Sequence, residues 1–291
     1  MASLVLVTKE GRLFLKIGAL VFGVLFLLFI FIQGGAMMRD VFFPKPPPPP
    51  AQAFGELPNV SFPQQDPQII EYRINTINGQ LPVLPDRVNV YKLKSSKPSL
   101  LALQEAKNTL DSANFVENQT KITDTVYRFT QSNTGVVIEY DIVSKNFTLS
   151  SNYMGNPSLV SSSIMPDEDS IRDDVSSFLR TIGASDDNID FDNSKVEYLQ
   201  EQNGALVAAQ NLGASRYARI YLAQNKIDEL ETVYGAPAGS ILTFLVSYPS
   251  SNFRVLEGMF FNYQADLEQK SDYHIKTANA ALEDLKLGKA Y

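Results

Sequence analysis

The sequence predicts an α+β protein: an N-terminal transmembrane helix, a proline-rich linker, then tandem units, each a helix followed by an antiparallel meander. Three observations predict this. No residue between Lys16 and Arg39 is charged. Prolines 44, 46 to 50, 58, 63 and 67 crowd the following stretch. From Gln68 onward, apolar residues at helical spacing and then in strand-like alternation recur twice in the same order.

The apolar run Ile17–Met38 shows no polar face, unlike a buried core helix. It has the roughly 20 residues a helix needs to cross a hydrocarbon core. A cleaved signal peptide would have a shorter apolar region ending at a small-x-small site. Gly34-Gly35-Ala36 is followed by Met-Met-Arg, and Ala51-Gln-Ala53 lies beyond the prolines. The expectation is a single-pass signal-anchor in the cytoplasmic membrane, with residues 1–16 inside and the C-terminal domain outside, as the short N-terminal tail and its Lys9, Arg12 and Lys16 favour. Residues 39–67 then form a linker, in which Pro46 to Pro50 stiffen into a polyproline II spacer.

The first α+β unit is assigned to residues 68–160. Tyr72–Ile77 and Arg87–Leu93 read as strands. Leu103, Ala106, Leu110 and Ala113 fall at helical spacing within Ser99–Asn114. Strands follow at 125–130, 136–143 and 146–150. The second unit, 161–291, repeats the order. Pro166 to Ile171 opens a helix with carboxylates in its first turn, the helix carries Ile171, Val175, Phe178, Leu179 and Ile182 on one face, and Gly183 ends it. Strand candidates lie at 195–199, 206–209, 216–222, 227–232, 241–248 and 255–263, with a hairpin through Gln224-Asn225. A third helix covers 276–287. Gly288-Lys-Ala-Tyr291 reads as a strand opening, so the expectation is an incomplete unit or a terminal strand that pairs within the existing sheet.

Composition excludes several chemistries. The chain has 291 residues, no Cys, no Trp and one His, so disulfides, thiol chemistry and multi-His metal centres are out of reach. His274 comes with no nucleophile motif. Residues 1–45 hold five basic and two acidic side chains; the remaining 20 basic and 30 acidic ones give −10. Such an acidic domain argues against a nucleic-acid partner.

Few residues read as chemistry. Asp186, Asn188, Asp190, Asp192 and Glu197 match the spacing of a calcium loop, but Phe191 stands where that loop needs glycine. Repeated Asp and Asn after Gly183 also make a plain solvated loop. Asp167, Glu168, Asp169, Asp173 and Asp174 are read as a helix start rather than a paired-carboxylate site. His274 is read as a surface or capping residue. Asn59, Asn118 and Asn146 open glycosylation triplets that are read as chance. Tyr127, Phe129, Tyr140, Phe147, Phe244, Phe260, Phe261 and Tyr263 read as core or sheet-face aromatics. The loop Gly235-Ala-Pro-Ala-Gly239 lacks a phosphate-loop ending.

The helix-then-meander units at Ser99–Ser150 and Pro166–Thr232 resemble the PepSY-type α+β unit of exported bacterial proteins. The layout, with His274–Tyr291 as a helix-Gly-Lys-strand element, resembles the membrane-anchored YycH/YycI-type regulators over residues 70–291. This resemblance implies regulation by contact with another protein, without catalysis, and transfers no site residue. The expected function is therefore a binding, regulatory or envelope-scaffold protein with a protein partner and no cofactor. A cell-wall-acting enzyme or accessory using carboxylates, and a subunit of a surface or secretion assembly, are the alternatives.

Overall fold

The computed structural model describes residues 14–29, 49–58, 74–76, 78–115, 117–132, 134–161, 163–233 and 241–287. The chain divides into two compact units, Met1–Ala51 and Gln52–Tyr291.

In the first unit a helix, α1, covers residues 14–29. At 1.5 Å per residue the described stretch is about 24 Å long, short of the roughly 30 Å of a bilayer's hydrocarbon core. No helix among the described residues is long and apolar enough to cross a membrane. The transmembrane reading of Ile17–Met38, the single-pass signal-anchor and the cytoplasmic-membrane localisation are corrected accordingly. Residues 30–38 of that segment, and most of the linker prolines, lie outside the described residues.

The second unit holds α2 (Ala102–Asp111), α3 (Glu168–Thr181), α4 (Ala278–Lys286) and eleven strands. Two of them, β1 (Arg87–Leu93) and β11 (Ala265–His274), form an antiparallel ribbon. The others are β2 (Glu117–Lys121), β3 (Val126–Thr130), β4 (Val137–Asp141), β5 (Phe147–Ser150), β6 (Ile189–Gln202), β7 (Ala205–Ala208), β8 (Tyr217–Gln224), β9 (Leu242–Ser247) and β10 (Arg254–Phe260). They make one nine-stranded sheet in the order β2-β3-β4-β5-β10-β9-β8-β6-β7. The tandem-unit fold class is thereby corrected. The meander after α2 and the strands after α3 are joined at the β5–β10 seam, where Gly258 pairs with Leu149, Met259 with Thr148 and Phe260 with Phe147. Neither half buries its apolar face alone. A single core cluster runs from Ala106 and Leu110 of α2 through Phe129, Ile138 and Phe147 to Ile171, Val175, Leu179, Ile220 and Phe244.

Local rules explain the elements that frame this core. The Asp167 side chain accepts the Ser170 backbone N–H (2.8 Å) and caps α3. Ile171, Val175 and Leu179 form its fully buried stripe. Gly183 ends it at φ +70°, and a Cβ there would stand 2.9 Å from Thr109 on α2, so glycine lets the two helices approach. Asn203 and Gly204, both with positive φ, make the tight turn of the β6–β7 hairpin. On the sheet's opposite face the β5–α3 connection lays Tyr153 and Leu159 over Leu199, Tyr217, Leu245 and Leu256.

Sequence and structure part at three places. β2 and β11 are polar strands without alternation, and only pairing reveals them. The expected strand over 227–232 is a tight turn closed by an Ile227–Leu230 bridge, with Asp228 and Glu229 at positive φ. Ile74–Thr76 are not a strand; the rest of that expected strand, Gly235–Gly239 and Gly288–Tyr291 lie outside the described residues.

The α3 cap carries a pH signature. The Ser170 N–H holds the Asp167 carboxyl below its ordinary 3.8. A carboxyl depressed in the folded state stabilises it above the unfolded value, and that contribution disappears as pH falls through the depressed one. Asp167→Ala should therefore lower the melting temperature at neutral pH. The gap between variant and parent should close below pH 3.8, which a pair of calorimetric pH series would show.

Candidate functional site

A concavity lies between the β1–β11 ribbon and the end of β8 with its following turn. Two adjoining cavities of about 810 and 460 Å³ share Tyr91, Ile227, Asp228 and Thr232. The ribbon has two unlike faces. One carries Val88, Val90, Ser271 and Tyr273, and residues 52–55 lie on it. The Ala53 N–H donates to the Ser271 hydroxyl (2.8 Å) and the Phe54 N–H to the Tyr273 hydroxyl (2.9 Å). Tyr273 in turn donates to the Gly55 carbonyl, and Lys92 stands over the Phe54 ring. The other face presents Arg87, Asn89, Tyr91, Lys270 and Asp272 to the cleft.

Two contacts pin the cleft's far wall. The Tyr91 hydroxyl (2.7 Å) and the Asn89 amide (2.8 Å) both donate to one Asp228 carboxylate oxygen. Together they hold Asp228 below the ordinary carboxylate range, Tyr91 contributing most, while the same bond raises Tyr91. Asp228 sits at φ +49° and Glu229 at +64°, a conformation that side chains rarely adopt and that these bonds hold in place. Asp228→Ala should release the turn. Amide exchange at Lys226–Leu230 should accelerate at neutral pH while the α3 amides stay protected.

Below the cleft an amide network locks the loop after α3 to β10. Asn262 donates to Asn188 Oδ1 (2.7 Å) and to the Ser185 carbonyl (2.8 Å), and accepts from Asn188 and Gln224. Gln264 donates to Ser185 and Asn188. The Asn262 N–H donates to Asn146 Oδ1. Exposed Leu230, Tyr263 and Leu267 stand on the rim. Three residues of β11, Leu267–Gln269, bulge between its pairing with Lys92 and with Tyr91 and push Leu267 outward.

Among the described residues, β1 also has a free edge. Its pairing alternates, with Val88 opposite Tyr273 and Val90 opposite Ser271 as hydrogen-bonded pairs, in phase with the Ile275-to-Asp86 and Lys94-to-Gln264 backbone bonds. Asn89 and Tyr91 therefore turn their backbone groups away from β11, and no described residue bonds to them. The outer edge of β11 differs, because the Gln52 N–H donates to the Asp272 carbonyl there.

The residues singled out by sequence lie elsewhere, or in the cleft for other reasons. The calcium-loop set is spread along a turn and a strand. Asp186 accepts from Ser176, Asn188 belongs to the amide network, Asp190 accepts from Asn193, Asp192 is exposed, and Glu197 is bonded by Lys195 and Tyr221. Among the described residues no group of three or more acidic or histidine side chains is placed to hold a metal ion. In the acidic helix start, Glu168 and Asp169 clamp Arg172, and Asp174 accepts from the Tyr248 hydroxyl, which burial and that carboxylate push far up. His274 is exposed, with Nδ1 3.3 Å from the Asp86 carbonyl. Phe129, Tyr140, Phe147, Phe244 and Phe260 are core. Every buried side-chain polar atom among the described residues has a partner. Sequence reasoning missed the cleft because its walls, β11 and the 227–230 turn, carry no motif. The one available signal was β1 itself, a full alternating strand with no evident neighbour.

No family model, no curated protein and no solved structure matches this chain.

Proposed function

We propose that this chain is a binding protein that recognises an extended segment of a partner protein at the free edge of β1, above the cleft. The observation that carries the reading is the backbone of Asn89 and Tyr91, unpaired among the described residues, beside a cleft rimmed with exposed Leu230, Tyr263 and Leu267. An added strand gains main-chain hydrogen bonds there, and side-chain pockets beside it supply selectivity. Action by contact is also what the resemblance to YycH/YycI-type regulators implies.

Two substitutions separate edge pairing from side-chain contact. Asn89→Pro deletes an outward N–H and leaves the β1–β11 ladder intact, whereas Asp228→Ala removes the side-chain bonds of Asn89 and Tyr91 and frees the turn but keeps every backbone N–H of β1. Photocrosslinking from Leu93 in cells that make the chain should capture one defined protein. That capture should persist with Asp228→Ala and be lost with Asn89→Pro. Equal capture by the parent and both variants would overturn edge pairing.

A further inference from the structure

The tip of the β6–β7 hairpin is the dipeptide Asn203-Gly204. Gln202 pairs with Ala205, so these two residues alone close the loop, at φ +55° and +76°. Both are exposed, and a Cβ built on Gly204 would meet nothing within 4 Å. Among the described residues no group bonds to the Asn203 side chain or to the Gly204 N–H. The side-chain amide and the next backbone nitrogen are thus tethered within one dipeptide, and Gly204 has no side chain to shield that nitrogen. The strand that follows is weakly held. β7 has four residues, lies at one end of the nine-stranded sheet and pairs with β6 alone, so opening it costs less than opening a central strand. The pair Asn78-Gly79 differs. There the Asn78 Oδ1 accepts the Gln80 N–H (3.2 Å), the Thr76 hydroxyl donates to the Gln80 carbonyl (2.8 Å), and the turn joins no two strands.

We infer that Asn203 is a site of spontaneous deamidation, and that the product releases β7. The Gly204 nitrogen gives its proton to hydroxide, and its electron pair attacks Asn203 Cγ. A C–N bond forms, the Cγ–Nδ2 bond breaks, and Nδ2 takes a proton from water and leaves as ammonia. Water then adds to one carbonyl of the resulting succinimide and breaks that carbonyl's bond to nitrogen. Opening at Cγ leaves aspartate. Opening at the backbone carbonyl leaves isoaspartate, whose chain runs through Cβ and Cγ and is one atom longer. The extra atom falls inside a two-residue loop, and the loop sets the register of its hairpin, so Gln202 can no longer oppose Ala205. The Ala209-to-Tyr198 backbone bond makes Gln200–Val207 and Gln202–Ala205 the hydrogen-bonded pairs of this hairpin. Their loss frees the Gln200 and Gln202 backbone groups at the sheet's end and lifts Leu206 from the Leu199 cluster. The inference is independent of partner binding at β1.

Ageing the full chain at mildly alkaline pH, followed by tryptic peptide mapping, tests it. The peptide Val196–Arg216 should gain the mass of an amide-to-acid conversion at Asn203, with isoaspartate exceeding aspartate. Conversion should be at least tenfold slower in a parallel sample at mildly acidic pH, where the Gly204 nitrogen keeps its proton. Amide exchange on the isoaspartate fraction should show protection at Gln200, Gln202, Ala205 and Val207 reduced at least tenfold, with the β8 and β9 amides unchanged. Freshly made Asn203→Asp carries the new charge without the extra backbone atom and should keep the protection of the parent. Asn203→Gln, which would have to close a larger ring, should stay unmodified through the same ageing. An unmodified Asn203 after alkaline ageing would overturn the inference. So would an isoaspartate chain with β7 protection intact, or equal loss of protection in Asn203→Asp.

Discussion

Phe147→Ala should lower the free energy of unfolding by about 3–5 kcal/mol, the cost of truncating a large aromatic in a packed core. Phe147 is 1% exposed and stands where the two meanders meet. Its ring lies 6.2 Å from Tyr140 on its own side of the seam. Across the seam it lies 5.4 Å from Phe260 and 6.0 Å from Phe244, and Phe178 of α3 meets it edge-on. A side chain shared by both halves ties their unfolding together. Urea denaturation of the variant should therefore show one transition at lower midpoint, with probes in β3 and in β8 moving together. Two separated transitions would mean that the halves fold as independent units.

Gly258→Val should cost about 1–3 kcal/mol for a different reason. A Cβ at this position would stand 2.8 Å from two ring carbons of Phe244 and 3.5 Å from Leu149. Phe244 is fully buried and cannot swing aside, so β10 would have to lift from β9 or β5. Its neighbour Met259 points to the open face. Met259→Val should stay within about 0.5 kcal/mol. Chemical denaturation of the pair isolates the close approach from any general intolerance of β10.

Individual elements were legible where local rules act alone. β1 coincides with the alternation of Arg87–Leu93, and α3 with an apolar stripe bracketed by Asp167 and Gly183. What local rules do not encode is which strands meet. Residues on β5 and β10 lie more than a hundred positions apart, and each reads equally well as an edge, so two units were expected where one sheet exists. The calcium-loop spacing maps onto a turn and a long strand. Ile189–Gln202 is extended with a register shift between Asp190 and Lys195, and there Asp190 accepts from Asn193 while Glu197 is bonded by Lys195 and Tyr221. The length of the apolar run Ile17–Met38 was plain in the sequence; residues 17–29 of it are described, and they are helical.

The candidate site was the least legible part. Its walls are a polar strand, a turn held in an uncommon conformation by Tyr91 and Asn89, and a bulge in β11, and none has a compositional signature. Charge and composition did narrow the chemistry. One histidine and no cysteine exclude thiol chemistry and a multi-histidine metal centre.

Backbone amide exchange along β1, read residue by residue with and without the captured partner, tests the proposed function most directly. In the chain alone, Val88 and Val90 should be protected by β11 while Asn89 and Tyr91 exchange at solvent-exposed rates. With the partner bound, all four should be protected. Protection of Asn89 and Tyr91 in the chain alone would mean that the edge is already occupied, and the account of partner recognition at β1 would be wrong.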